Sequence, residues 1–126
     1  MKFTSDRIAQ FIASAGRDFA IAAGSEVPEV VFKFAYDALI KIGIAMIAIR
    51  GYKVRSRVGH HVRIIEKMAE MLDDPDVVVM GNKMRQDRNL DLYGGGGCVS
   101  EKDSQASLAF VKATLGKAKQ FLKTTD

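Results

Sequence analysis

The apolar residues of this chain recur three and four positions apart along almost its whole length, and this spacing most constrains the fold. The first apolar stripe consists of Ile8, Phe11, Ile12, Ala15, Phe19 and Ala22. Residues at i, i+3, i+4 and i+7 share one face of an α-helix, whereas a half-buried strand alternates. No pair of β-branched runs flanks a hairpin turn. The chain is therefore predicted to be all-α.

Capping signals divide the chain into helices. The first predicted helix begins near Thr4 or Ser5. The next three span about Pro28–Arg50, about His60–Leu72 and about Pro75 to Leu90 or Leu92. The last helix is capped by Ser100. The fourth helix start is the sharpest, because Asp74 suits the N-cap and Pro75 suits the first helical position. The Gly94–Gly97 run ends this helix. It is read as a flexible turn, with a phosphate cradle as the weaker alternative.

The chain has 126 residues, of which 48% are apolar, and this suits one compact domain over residues 1–126. Short connections favour antiparallel neighbours, so we predict an up-and-down bundle of four main helices plus one accessory helix. The segment Ile42–Ile49 is apolar on every side. It must therefore be covered by the bundle or by a second subunit.

The positive charge is concentrated in one block. The net charge is +4, yet residues 38–65 contain no acid. The basic residues of that block are Lys41, Arg50, Lys53, Arg55, Arg57 and Arg63. Five acids and one lysine follow within residues 66–76. The surface is therefore expected to be polarised, and an anionic partner, if there is one, is expected at this block or at Arg85 and Arg88.

The composition also indicates a compartment. No uncharged run approaches the roughly 20 residues that span a bilayer, so a membrane protein is not expected. Cys98 is the single cysteine and cannot form an internal disulfide. No secretion leader is predicted, and the cytoplasm is the expected location.

The sequence predicts neither a metal site nor a cofactor. His60 and His61 are adjacent, so on a helix they point about 100° apart and cannot share a metal without a turn between them. A nucleophile motif is also lacking. The two histidines are read first as a helix start whose rings satisfy backbone groups.

Two clusters are candidates for anion binding. Arg55, Arg57, His60 and His61 lie in or beside the basic link between the second and third helices, and arginine binds phosphate bidentately. A solvated loop, or a loop neutralised by the acids after Glu66, explains that cluster equally well.

The second cluster lies at the end of the fourth helix. Arg85 and Arg88 are three residues apart and share a face, while Tyr93 is predicted to lie past the last turn and fold back over them. An ordinary charged face, with Asp87 and Asp91 paired internally, is the alternative. The histidines of the link are expected at the opposite pole of the bundle.

These residues resemble the HEPN superfamily, the higher eukaryote and prokaryote nucleotide-binding domain. The segment Phe34–Leu39 resembles part of the family's long central helix. Arg50–His61 looks like the Gly-Tyr and Gly-His-His link of a bacterial subgroup, and Arg88–Tyr93 is similar to the Arg-x4-His signature.

The resemblance implies a dimer whose motifs face each other across the interface. Active members are metal-independent ribonucleases, often toxins held by a nucleotidyltransferase antitoxin, in which Arg stabilises charge at phosphorus while His moves a proton. Here Arg88 and Asn89 match the signature, but Tyr93 stands at the His position. A phenol is a poor general base near pH 7, so reduced or lost cleavage is expected.

We therefore expect a homodimeric HEPN-type bundle that binds RNA, a nucleotide or a nucleotidyltransferase partner, with a groove formed by Arg88, Asn89 and Tyr93. One alternative is an active ribonuclease that uses Arg88 with Tyr93 or His61. The other is a structural module whose apolar segment Ile42–Ile49 forms a dimer face.

Overall fold

A computed structural model describes the backbone over residues 5–51, 60–93 and 99–124, and the side chains over 6–51, 60–88 and 99–123. These ranges fold into five α-helices and contain no strand. The helices are α1 (Ser5–Ala23), α2 (Pro28–Ile49), α3 (His60–Leu72), α4 (Pro75–Tyr93) and α5 (Glu101–Thr124). The predicted helical bundle is confirmed. The predictions for Thr4, Arg55, Arg57, Gly94–Gly97 and Cys98 fall outside the described residues.

Side-chain caps fix the starts of α4 and α5. The carboxylate of Asp74 accepts a hydrogen bond from the backbone N–H of Asp76 at 3.1 Å. The hydroxyl of Ser100 accepts one from the backbone N–H of Asp103 at 3.0 Å. Each bond satisfies an amide that has no partner within its own helix. Both predicted caps are confirmed.

Helix α2 forms the centre of the molecule and packs against α1, α3, α4 and α5. Its apolar segment is covered within the chain, because Ile42, Ala45 and Met46 are fully buried. The half-buried Ile44 and Ile47 pack against the same core. The sequence left open whether the bundle or a second subunit covers this segment. In the structure, the other helices of the bundle cover it.

Helix α3 lies against both α2 and α4, and two glycines let it approach closely. A Cβ added at Gly43 of α2 would overlap the Cγ2 atom of Ile64, and one added at Gly81 of α4 would lie 2.7 Å from Cγ2 of Ile65. Consecutive helical residues point about 100° apart, so the two isoleucines can face different neighbours. Ile64 and Ile65 are both buried, and the three helices share one close-packed core.

The two lysines in the middle of α2 take different partners. Lys33 bonds Asp37 at 3.1 Å. Lys41 turns to α1 instead, where its ammonium lies 2.6 Å from the carboxylate of Asp18 and donates to the hydroxyl of Ser14 at 2.8 Å. Asp18 is buried. A buried carboxylate needs a cation more than a solvated one does, which explains the preference of Lys41.

No helix in the part of the chain that the structure describes combines the length and apolarity needed to cross a membrane.

Candidate functional site

The candidate site is built around Tyr36, a residue of α2 whose side chain is buried. Its hydroxyl lies 2.8 Å from Nδ1 of His61, in the first turn of α3. Burial raises the pKa of Tyr36 to about 12, although the nearby Arg88 and Arg85 act in the opposite direction. The phenol therefore keeps its proton at neutral pH and can serve His61 as donor or acceptor.

An arginine covers the ring of this tyrosine. Cζ of Arg88 lies 5.5 Å from the ring centroid of Tyr36, within the range of a cation–π contact. Arg85 lies one turn earlier on α4, and its Nε donates to the side-chain oxygen of Asn82 at 3.4 Å. Among the described side chains, no ion pair involves Arg85 or Arg88. Both guanidinium charges are therefore uncompensated by any described carboxylate in direct contact.

His60 and His61 complete the cluster at the start of α3. Their rings meet edge to face with centroids 4.5 Å apart. Burial lowers the pKa of His61, and His60 and Arg88 lower it further, against a weaker opposing effect from Asp37. His61 is therefore neutral at pH 7. A neutral imidazole can accept a proton, whereas an imidazolium cannot.

The structure thus brings together residues that we expected at opposite poles of the bundle. We expected His60 and His61 at the pole opposite to the end of the fourth helix, and this is wrong for His61 and Arg88, which meet at Tyr36. The reason is the two-residue connection Asp73–Asp74 between α3 and α4. So short a turn makes the helices antiparallel neighbours, so that the start of α3 lies beside the later turns of α4.

The structure describes only the backbone of two further predicted site residues, Asn89 and Tyr93. Tyr93 is the last residue of α4, so the prediction that it lies past the final turn is wrong: the helix continues up to it. The backbone of Asn89 is also helical. The side chains of both residues, like Arg55 and Arg57, lie outside the described part of the structure.

Sequence reasoning missed Tyr36 as a site residue. Tyr36 lies in the segment Phe34–Leu39 that resembles the central HEPN helix, but that resemblance implies no role for it. One signal could have identified it: a tyrosine among core positions needs a partner for its hydroxyl, because a buried phenol without a hydrogen bond is costly. A search for that partner leads to a polar residue on a neighbouring helix.

A groove elsewhere in the fold is lined by acidic rather than basic side chains. This groove of about 380 Å³ lies between the α1–α2 turn and the start of α5, and Glu26 and Glu101 are among its lining residues. Its described lining residues include no arginine, lysine or histidine. Within the described residues, no group of three or more His, Cys, Asp or Glu side chains gathers where it could hold a metal ion. The Tyr36 cluster is therefore the better candidate for an anion.

Comparison of the chain with protein-family models, with curated proteins and with solved structures finds no match. The resemblance to HEPN proteins therefore depends on the sequence motifs alone.

Proposed function

We propose that this chain is a HEPN-like helical domain that binds phosphate groups of RNA or of a nucleotide at Tyr36, His61 and Arg88, with reduced or lost ribonuclease activity. The observation that carries the proposal is the contact of Arg88 with the Tyr36 ring beside His61. Arg85 adds a second guanidinium on the same helix.

The contact with the ring leaves Arg88 able to bind an anion. A guanidinium has five N–H donors, and a cation–π contact uses none of them. Arginine donates two parallel hydrogen bonds to a phosphate, and each bond to a charged group contributes about 1.5–3 kcal/mol. A tyrosine ring that limits the motion of Arg88 also reduces the entropy lost on binding.

Substitution of Arg88 tests the proposal directly. We expect Arg88→Ala to weaken binding of a fluorescein-labelled single-stranded RNA by roughly 10–100-fold, measured by anisotropy at low salt. Arg17→Ala is the matched control, because Arg17 is exposed on α1 and the described part of α1 does not contact α3 or α4. Equal affinities for Arg88→Ala and Arg17→Ala would remove the site.

A second candidate function is supported by the neutral state of His61. A metal-independent endoribonuclease needs a base for the attacking hydroxyl and a cation for the charge that develops at phosphorus. His61 and Arg88 have those properties, and both contact Tyr36. Tyr93, which we also named for this reaction, keeps that role only as a prediction.

Total RNA incubated with the protein and a chelator tests this candidate. If the protein is such a ribonuclease, RNA is cleaved by the unaltered protein and by Arg17→Ala but not by His61→Gln or Arg88→Ala. No cleavage by the unaltered protein, or cleavage that survives Arg88→Ala, would refute it.

The resemblance also predicts a homodimer and a nucleotidyltransferase partner, whereas the cytoplasmic location is predicted from the composition. Light scattering at micromolar concentration tests the dimer: a mass near twice 13.8 kDa is expected. A monomer would contradict the facing arrangement of two motifs.

A further inference from the structure

Resting on the proposed function, we propose that His61 takes up a proton when an RNA phosphodiester binds beside it, so that affinity at this site rises as the pH falls. This makes the site sensitive to pH near neutrality, and it assigns His61 a charge that depends on the ligand.

Titratable and charged groups from α2, α3 and α4 surround His61. The facing groups are the hydroxyl of Tyr36 and the carboxylate of Asp37 on α2, the ring of His60 on α3, and the guanidinium groups of Arg85 and Arg88 on α4. Among the described side chains, two fixed cations therefore oppose one carboxylate. That carboxylate is in addition paired with Lys33 at 3.1 Å.

In the absence of a ligand this arrangement disfavours an imidazolium. Burial, His60 and Arg88 together hold the pKa of His61 below its ordinary range. A phosphodiester bound by Arg88 brings a negative charge into the same cluster. It offsets the guanidinium and attracts a proton to the imidazole, so the pKa of His61 rises in the complex. By linkage, whatever raises this pKa binds more tightly at lower pH.

The Tyr36 hydroxyl allows His61 to change charge without losing its hydrogen bond. When His61 is neutral with its proton on Nε2, the hydroxyl donates to Nδ1. When His61 is protonated, Nδ1–H donates to the phenolic oxygen instead. A hydroxyl can fill both roles, and the high pKa of Tyr36, about 12, keeps it protonated in each state.

Oligouridylate with hydroxyl ends is the appropriate probe, because neither its phosphodiesters nor its bases titrate between about pH 5.5 and 8, where histidine does. We expect its affinity to rise by up to roughly tenfold for each unit by which the pH falls. This dependence should hold at pH values between the pKa of His61 in the complex and its lower pKa in the free protein. Calorimetry in two buffers of different ionisation enthalpy counts the protons, and uptake of up to one is expected.

Two variants assign that proton. His61→Gln should abolish the uptake, whereas His60→Gln should retain it. Titration of the His61 ring protons by NMR measures the pKa in the unaltered protein, free and bound, and requires no variant. The pKa should be higher in the complex.

The outcomes separate the two proposals. Binding without proton uptake, uptake that persists in His61→Gln, or an unchanged pKa of His61 in the complex would overturn the inference while leaving the binding site intact. Absence of binding at every pH would refute the proposed function as well.

Discussion

A single methyl group added to Gly43 should disturb the packing that holds α3 in place. Glycine 43 is buried at the contact between α2 and α3, where an added Cβ would overlap Cγ2 of Ile64. That methyl is attached directly to the Cβ of Ile64, so it cannot move aside without rotation of the whole side chain or displacement of the helix. Ile64 is fully buried, and rotation would meet other core atoms.

The expected change in the free energy of unfolding for Gly43→Ala follows from two opposing effects. Alanine is favoured over glycine in a helix by about 1 kcal/mol. Overpacking of a close-packed core costs about 1–3 kcal/mol, and a direct overlap belongs at the upper end. Gly43→Ala should therefore lower the free energy of unfolding by about 1–2 kcal/mol.

Urea denaturation followed by circular dichroism measures this difference, and Gly116→Ala is the matched control. Gly116 lies in α5, where no described atom outside its own stretch of helix comes within 4 Å of an added Cβ, so this variant should be stabilised by about 0.5–1 kcal/mol. In an Ile64→Ala background the overlapping methyl is absent. There Gly43→Ala should change sign and stabilise the protein by up to about 1 kcal/mol.

Gly43→Ala should also affect the candidate site, because displacement of α3 moves His61 away from the Tyr36 hydroxyl. If Gly43→Ala is as stable as Gly116→Ala, or if its effect is the same with and without the Ile64 side chain, then the close contact of α2 with α3 does not determine the position of α3.

Three further predictions concern stability alone. Asp73→Gly should stabilise the protein by about 1 kcal/mol in urea denaturation, because Asp73 has a φ of 49° at the end of α3, a conformation that glycine adopts without strain. Lys41→Met should destabilise it by about 1–3 kcal/mol, because the buried carboxylate of Asp18 loses its ammonium partner. The hydrogen bond from Lys117 lowers the pKa of Asp74, so this pair stabilises the fold at neutral pH and its contribution is lost as the pH falls through the lowered pKa. Asp74→Asn preserves a good N-cap and should make unfolding less dependent on acid pH; an unchanged pH dependence would contradict the assignment.

The limits of the helices were predictable because they depend on neighbours in sequence. The third helix was predicted over His60–Leu72, and the structure has α3 at those bounds. The starts of α4 and α5 followed from Asp74 and Ser100, whose side chains cap amides two and three residues away. Such interactions are encoded within one turn, so that no knowledge of the tertiary fold is needed to predict them.

The site was predictable only in part, because its contacts are between helices. His61 and Arg88 were both singled out, but from the sequence they belonged to separate clusters. The hydrogen bond of His61 to Tyr36 joins residues that are 25 positions apart, and only the packing of α3 creates it. The pairing of Lys41 with Asp18 was missed for the same reason, since a partner within α2 was available locally.

The glycine contacts explain why the site residues meet where they do. Tyr36 precedes Gly43 by seven residues on α2, and Arg88 follows Gly81 by seven on α4. Seven residues are close to two helical turns, so each site residue shares a face with its glycine. His61 lies one turn before the pair of isoleucines that contact those glycines. The faces that bring α2, α3 and α4 into close contact therefore also carry Tyr36, His61 and Arg88, and the packing of the core sets the geometry of the candidate site.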